Sequence, residues 1–380
     1  MKARILAFAV LALTAGLLIA TPDKPSNAQR VAEDKGLNDE IVKWGDAIEL
    51  KDGQVIDIKA GLKAGQNFTY LLTTRGESEV ILADGSVGAK SSVINTIKVQ
   101  LLLEQATLSN PKPKEKAPTQ LAVRYQNINS HFDVNGTKWS LFIDQPTSVA
   151  KGFDNGKEVT SFPDSTGRPN PSSMRTHMGK SLGYAFVGEG NKLTNLAHAA
   201  FWEELPRDMP ARLIDPISLM RLMAMQIGPR TLTVSMVDNK PSGEFSARGL
   251  ELPVEIAQGH TALFDATFTL TGAKGGKVEK KAAVDGDVTN DGVVKEGDKK
   301  DESEESEIRL LSFDFVATPQ PGQTIALGST SISPKEIRGS VDIDPRSGMV
   351  VNANLNSAFA GQGAKGTLEL RFFVRNQNLN

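Results

Sequence analysis

The sequence of 380 residues contains no cysteine. The chain therefore forms no disulfide, offers no thiol nucleophile and carries no lipid-modified cysteine, so its stability must come from burial or from a bound metal. Its four histidines, His131, His177, His198 and His260, are scattered and form no H-E-x-x-H pair, which argues against a zinc site. A net charge of -2 and the lack of a basic patch with interleaved aromatics give no reason to expect nucleic acid as a partner.

Long apolar runs are also missing, except at the N-terminus. Lys2 and Arg4 precede a Leu- and Ala-rich run over residues 5–20, and small residues at 26–28 suit cleavage before Gln29. This pattern predicts a secretory signal peptide over residues 1–28. The alternative is an uncleaved anchor, for which the run is short. We expect no transmembrane segment after cleavage, and a mature chain that is soluble in a bacterial periplasm or exported further.

Strand-like alternation of apolar and polar residues dominates the rest of the chain. The longest such pattern covers residues 93–104, and the last covers residues 368–375. Hairpin-length gaps between these segments favour antiparallel pairing over βαβ units. The predicted fold class is mainly β (α+β). It consists of one large, curved antiparallel sheet or of two packed β halves, residues 29–190 and 230–380, with a central helical pair at 191–229.

The first predicted helix of that pair rests on the spacing of its apolar residues. They follow the i, i+3, i+4, i+7, i+8 rule of one helix face, and Pro206 would end the helix. The residues that carry the pattern are Leu193, Leu196, Ala197, Ala200 and Phe201.

The second predicted helix has clear signals at both ends. Asp215 suits the N-cap and Pro216 the first helical position, while Gly228 suits the left-handed position after the last turn. The helix is apolar around most of its girth, which favours core packing against a sheet. The alternative is a flexible methionine-rich wall over a lipid or other apolar small molecule, because thioethers adapt to irregular shapes. That alternative assigns ligand contacts to Met220, Met223 and Ile227.

A hydrophilic insert over residues 274–307 contains one candidate metal loop. Oxygen donors occur at loop positions one, three, five, seven (a main-chain carbonyl) and twelve, and Gly292 lies at position six, where such loops turn sharply. The predicted calcium ligands are Asp287, Thr289, Asp291, Val293 and Asp298.

This loop resembles the calcium loop of bacterial dockerin repeats. It departs from that family in having Thr289 at position three, in its charged residues 299–307 where a helix should follow, and in lacking a second copy. Cohesin binding is therefore not carried over. The alternative is a flexible acidic loop without metal.

Residues 179–183 match the G-x-S-x-G pattern of the nucleophile elbow, with Ser181 as the serine. The elbow needs a buried strand before the serine, and residues 175–178 are loop-like. A serine hydrolase is the least favoured reading.

Taken whole, the chain resembles secreted bacterial proteins of a β-rich kind, through its signal peptide, residues 63–66 before a strand, and the 343–348 hairpin. Its layout is also similar to that of the periplasmic lipoprotein-carrier half-barrels, in which helices close a curved antiparallel sheet over an apolar cavity. This likeness implies that the helix over residues 220–227 is a lid. The expected function is therefore non-enzymatic: an exported binding or scaffold protein, with a calcium-dependent cell-surface or matrix protein as the alternative.

Overall fold

The computed structural model describes most of the chain from residue 42 onwards. The described residues are 42–82, 84–106, 117–162, 171–176, 178–200, 215–225, 227–255, 260–277, 306–327, 330–361 and 363–378.

Strands make up most of the described residues. In chain order they are β1 (Asp46–Ala47), β2 (Val55–Ile58), β3 (Asn67–Ile81), β4 (Val87–Gln105), β5 (Thr119–Val134), β6 (Thr137–Asp144), β7 (Val149–Asp154), β8 (Lys157–Val159), β9 (Ser181–Val187), β10 (Leu193–His198), β11 (Arg230–Thr233), β12 (Ser235–Val237), β13 (Lys240–Ser242), β14 (Glu244–Glu255), β15 (His260–Lys277), β16 (Ser306–Pro319), β17 (Ile325–Leu327), β18 (Thr330–Pro334), β19 (Ile337–Asp344), β20 (Met349–Gly361) and β21 (Ala364–Asn378). The helical segments are a single turn α1 (Pro171–Arg175), a 3-10 turn (Glu189–Asn191) and the helix α2 (Pro216–Ala224).

One antiparallel ladder organises the molecule. Its eleven strands pair in the order β14, β15, β16, β19, β20, β21, β3, β4, β5, β9 and β10. The β21–β3 pair joins the last strand of the chain to its first long one, so both predicted β halves contribute to the same sheet. The structure confirms the prediction of a mainly β fold with a large antiparallel sheet.

The ladder must curve around α2. Ten strand spacings of ~4.8 Å would hold β14 and β10 about 48 Å apart in a flat sheet. Helix α2 has nine residues and is about 14 Å long, yet it contacts β14, β10, β9 and also β20 in the middle of the ladder. A helix of that length reaches both ends only if the sheet wraps it. The sheet therefore presents a concave inner face to α2.

The inner face is a continuous apolar core. One register row of buried apolar side chains crosses seven strands of the ladder, from β16 to β5, and continues onto β6. The row consists of Phe313, Val341, Ala353, Phe372, Leu72, Ile97, Ile128 and Ile143. Full burial of a side chain of this size stabilises the fold by about 1.5–3 kcal/mol. The buried phenol hydroxyl of Tyr70, on the same strand as Leu72, donates to the Val350 carbonyl at 3.1 Å. Burial raises the pKa of Tyr70, so the phenol stays neutral.

Strand β5 is a branch point. Its first half pairs with β9 and its second half with β6, from which β7 and β8 continue. The remaining two-stranded sheets pair β2 with β11 and β12 with β13. The first half of β5 thus leads to the edge that contacts α2.

The predicted helical pair is wrong in its first member. Residues Leu193–His198 form strand β10, paired with β9, and residues 201–214 lie outside the described part of the chain. A bulge explains the misleading pattern. Asn195 has a φ of 52° and the register shifts between Thr194 and Ala197, so the inward residues Leu193 and Leu196 are three apart, as in a helix.

The second predicted helix is confirmed as α2, with Asp215 as its N-cap and Pro216 at its first position. The helix ends at Ala224, whereas the sequence predicts its end just before Gly228. Met225 takes the left-handed conformation at the C-cap, with a φ of 33°. This backbone costs a non-glycine residue about 1–2 kcal/mol, and burial of the Met225 side chain offsets it.

Two further sequence predictions concern the insert and membrane crossing. Strand β15 continues through Lys277 and β16 begins at Ser306, so both ends of the predicted 274–307 insert are strand, and residues 278–305 lie outside the described residues. Among the helices that the structure describes, none combines the length and apolar character needed to span a membrane.

Candidate functional site

The N-terminal end of α2 is closed by its own polar side chains. The Asp215 carboxylate accepts hydrogen bonds from the Ser218 amide at 2.7 Å, from the Ser218 hydroxyl at 2.9 Å and from Nε2 of His198 on β10. This cap satisfies backbone donors that the first helical turn leaves without partners. His198, which the sequence placed on a helix, therefore links β10 to α2.

The carboxylate of Asp215 stays charged although it is buried. Burial alone would raise its pKa, but the hydrogen bonds from His198 and Ser218 outweigh burial and hold the pKa below its usual value. Burial, with a smaller contribution from the nearby Asp215 charge, raises the pKa of Tyr125 on β5 well above its ordinary value. The N-terminal end of α2 thus contains a buried, charged carboxylate that accepts hydrogen bonds from Ser218 and His198.

A glycine allows α2 to lie directly on β9. A Cβ on Gly183 would lie 3.1 Å from Cβ of Pro216 and 3.3 Å from Cε of Met220. The absent side chain therefore sets the distance between helix and strand. This contact accounts for one glycine of the G-x-S-x-G pattern by packing alone.

Ser181, the serine of that pattern, is the first residue of strand β9. Its hydroxyl accepts a hydrogen bond from Nε of Arg124 at 3.1 Å. In a nucleophile elbow the serine follows a strand and precedes a helix, whereas here the strand follows it. The local geometry is that of a strand start.

The structure places the three predicted apolar contact residues in the core. Met220 and Met223 are fully buried and Ile227 is 5 % exposed, within the apolar cluster that α2 shares with the inner face of the sheet. These positions agree with the core-packing alternative. They leave the ligand alternative as a prediction, because a ligand would have to displace α2 to reach them.

The C-terminal end of α2 faces an open cleft of about 320 Å³. Three elements form its walls: the end of α2, the turn before β10, and the β14–β15 edge of the sheet. The lining residues are Gly190, Lys192, Arg221, Met225, Arg248, Gly249, Leu250, Glu251, Leu252 and Leu263. Four of these are large apolar side chains, and Leu263 is 39 % exposed.

A bulge in β14 brings Arg248 to the cleft. The register with β15 shifts between Ala247 and Leu250, and Gly249 within the bulge has a φ of +64°. The Gly249 amide donates to the Asp265 carboxylate at 3.0 Å, which fixes the bulge. Bulges re-aim side chains at sheet edges, and this one adds a cation to the cleft wall.

A buried hairpin holds the turn that carries Lys192. The carbonyl of Ser347 accepts from the Asn191 side chain at 2.7 Å, and the Asn191 amide oxygen accepts from the Leu62 main chain at 3.2 Å. The hairpin itself is fixed by Asp344, fully buried, which accepts from Nε and Nη2 of Arg346 at 2.9 Å each. The side chain of the neighbouring Asn191 therefore fixes the turn that carries Lys192.

Charge in the cleft is unbalanced. Nη1 of Arg221 lies 2.6 Å from the Glu251 carboxylate, which also accepts from the Thr261 hydroxyl at 2.6 Å. Among the described residues, no carboxylate lies within ion-pair distance of Lys192 or Arg248. Three cations thus share one lining carboxylate.

A second depression of about 450 Å³ lies on the outer face of the ladder. Most of its lining residues are polar, with Ser340, Asn352, Asn354 and Arg371 among them, although apolar atoms make up most of its exposed lining. Its polar lining residues lie in the register rows that alternate with the core row. Unlike the cleft, the depression has no excess of one charge, since Asp342 and Arg371 both line it.

The predicted calcium site cannot be located among the described residues. The calcium ligands Asp287, Thr289, Asp291, Val293 and Asp298 all lie outside the described part of the chain. Within the described part, no three His, Asp or Glu side chains form a group that could hold a metal. His177 also lies outside it.

The comparisons with known proteins add no homologue. No protein-family model matches the chain, and no curated protein sequence matches it significantly. The cleft was not predicted from sequence. Its residues are far apart in the chain, and the only local signal was the Arg248-Gly249 pair inside an apolar strand pattern.

Proposed function

We propose that this chain is an exported, non-enzymatic binding protein that takes an apolar or amphipathic ligand in the cleft at the C-terminal end of α2. The observation that carries the proposal is the concavity itself, in which the half-exposed side chain of Leu263 lies beside three buried apolar side chains, Met225, Leu250 and Leu252. Ligand sites are typically concave and mostly apolar, with a few polar groups that fix orientation. The export part of the proposal is supported only by the N-terminal sequence.

The cleft adjoins the apolar core at the C-terminal end of α2. Met225 lines the cleft and is itself buried, and it follows directly on the helix that contains Met220 and Met223. In this proposal the methionines form the deeper wall, against which the chain of a long ligand would pack if the helix shifts. Leu263 is the outer contact.

Native mass spectrometry of the mature protein tests this proposal. We expect an adduct of lipid size on the wild-type chain and its loss in Leu263→Asp, because a carboxylate in the apolar wall opposes burial of an apolar group. Val237→Asp is the matched control, since Val237 is 57 % exposed and does not line the cleft. A bare polypeptide mass for the wild type, also after incubation with a lipid extract, would contradict the proposal.

A calcium-dependent surface or matrix protein is the second candidate. The β15–β16 register runs to Lys277 opposite Ser306, the two described residues that flank residues 278–305. Closely spaced flanking residues suit a loop that a metal could organise. We expect calcium, but not magnesium, to raise the melting temperature of the wild type, and Asp287→Ala to abolish the rise. Equal melting with and without calcium would end this candidate.

A further inference from the structure

Arg221 carries a donor that its surroundings do not satisfy. Its Nη1 is paired with Glu251, but its Nε is buried and has no hydrogen-bond partner. A buried donor without an acceptor costs about 1–3 kcal/mol, and more when the group is charged. Buried polar groups in native proteins are nearly always paired with protein or ordered water, so this Nε has a donor to offer to a group from outside the chain.

Two further cations converge on the same cleft from separate elements. Lys192 follows the 3-10 turn and Arg248 lies in the bulge of β14, and both are exposed. Asp265, outside the lining, interacts with the Arg248 charge. Its pKa is lowered first by its hydrogen bond from Gln320, then by that from Gly249, with a smaller contribution from the Arg248 charge. That carboxylate is already engaged at the bulge. These hydrogen bonds come from neutral groups, so Asp265 keeps its negative charge. Three cations then face two carboxylates, Glu251 and Asp265, and one positive charge remains in excess.

We propose that Lys192, Arg221 and Arg248 form a site for an anionic oxygen group, a carboxylate or a phosphate, on the ligand of the cleft. The inference rests on the proposed binding function and adds the chemical class of its ligand. An arginine fork suits oxyanions because its donors are planar and parallel, and a lysine adds a mobile point charge. Leu263, 39 % exposed, would contact the apolar part, so the ligand class that we propose is an anionic amphiphile, with a free anion as the alternative that the test distinguishes.

Isothermal titration with three probes tests this site. Dodecanoate, below its micelle concentration, carries both the chain and the charge; dodecanol carries the chain alone; inorganic phosphate carries the charge alone. Each is titrated into the wild type, Lys192→Gln, Arg248→Gln and the control Lys157→Gln. All three substituted lysines and arginines are exposed, so the variants should fold, and Lys157 lies on β8, outside the cleft lining.

We expect dodecanoate to bind the wild type at least about tenfold more tightly than dodecanol, since hydrogen bonds to charged groups are worth about one to two powers of ten. Lys192→Gln and Arg248→Gln should each weaken dodecanoate binding about five- to tenfold. Dodecanol binding should not change in either variant, and Lys157→Gln should behave as wild type.

The other outcomes separate this inference from the proposed function. Equal affinity for dodecanoate and dodecanol in every variant would keep the apolar site and overturn the anionic one. Phosphate binding that is lost in Lys192→Gln and Arg248→Gln, with no binding of either amphiphile, would support the anionic site with a free anion as its source and remove the apolar ligand. No binding of any probe would overturn both.

Discussion

The two ends of helix α2 have opposite chemistry. At the N-terminal end, one carboxylate, Asp215, is surrounded by donors from Ser218 and His198, and every one of these contacts is internal. At the C-terminal end, three cations face one lining carboxylate, and Nε of Arg221 is buried without a partner. The polar groups at the N-terminal end of this nine-residue helix thus have partners within the protein, whereas those at its C-terminal end include a donor that has none among the described residues.

Whether buried polar groups have partners within the protein distinguishes groups that stabilise the fold from groups that can bind a ligand. A satisfied buried polar cluster contributes to stability, because every group exchanges water for an internal partner. An unsatisfied one costs stability and persists where something outside the chain completes it. We therefore expect substitutions at the N-terminal end to change the free energy of unfolding, and substitutions at the C-terminal end to change binding.

The largest expected effect is that of Asp215→Ala. It removes the N-cap and leaves the Ser218 amide and hydroxyl and Nε2 of His198 without their acceptor, for a combined loss of about 2–4 kcal/mol. Urea unfolding measures it. Asp52→Ala is the control, because Asp52 accepts a main-chain hydrogen bond from Met236 at 3.0 Å but is exposed. Equal losses in the two variants would show that the N-terminal cluster is no more than an exposed turn contact.

Gly183→Val tests whether α2 depends on its close approach to β9. The new side chain would meet Pro216 and Met220, and overpacking of this kind costs about 1–3 kcal/mol. Gly272→Val on β15 is the matched control, since a Cβ there has no atom within 4 Å. If urea unfolding shows equal stability for both variants, Gly183 does not set the position of the helix.

Gly183 also shows where sequence reasoning succeeded and where it could not. Alternation predicted the long strands, and the Asp215-Pro216 signal predicted the start of α2, because both depend on neighbouring residues only. The G-x-S-x-G pattern drew attention to Gly183 for a catalytic reason, whereas its role is contact with a helix more than thirty residues away. The bulge at Asn195 likewise imitated helical spacing within β10.

The cleft lay beyond sequence reasoning for the same reason. Lys192, Arg221 and Arg248 meet only because the ladder wraps α2 and places β14 next to the turn before β10. No local pattern encodes that meeting. Whether a polar group stabilises the fold depends on its hydrogen-bond partner. The tertiary fold, and not the local sequence, determines that partner.

The pH dependence of stability tests whether the Asp215 carboxylate at the N-terminal end of α2 is held in its charged form. The folded pKa of Asp215 is depressed, so its contribution to stability is fully present above its unfolded value of 3.8 and is lost as the pH falls through the lower folded value. The stability difference between the wild type and Asp215→Asn should therefore shrink as the pH falls below about 4. Urea unfolding at each pH measures it. A difference that grows towards acid would mean that the carboxylate is not held charged.

The smallest expected change in stability is that of Glu251→Gln at the open end. The Arg221–Glu251 pair is partly exposed, at 21 % and 35 % of the two side chains, so its loss should cost no more than about 1 kcal/mol. Because Glu251 is the one lining carboxylate, its neutralisation should strengthen dodecanoate binding, as measured by titration, while the glutamine still accepts from the Thr261 hydroxyl. Weaker dodecanoate binding would show that Glu251 serves mainly to position Arg221. In that case the two ends of α2 would be alike, each a structural ion cluster, and the contrast between them would fail.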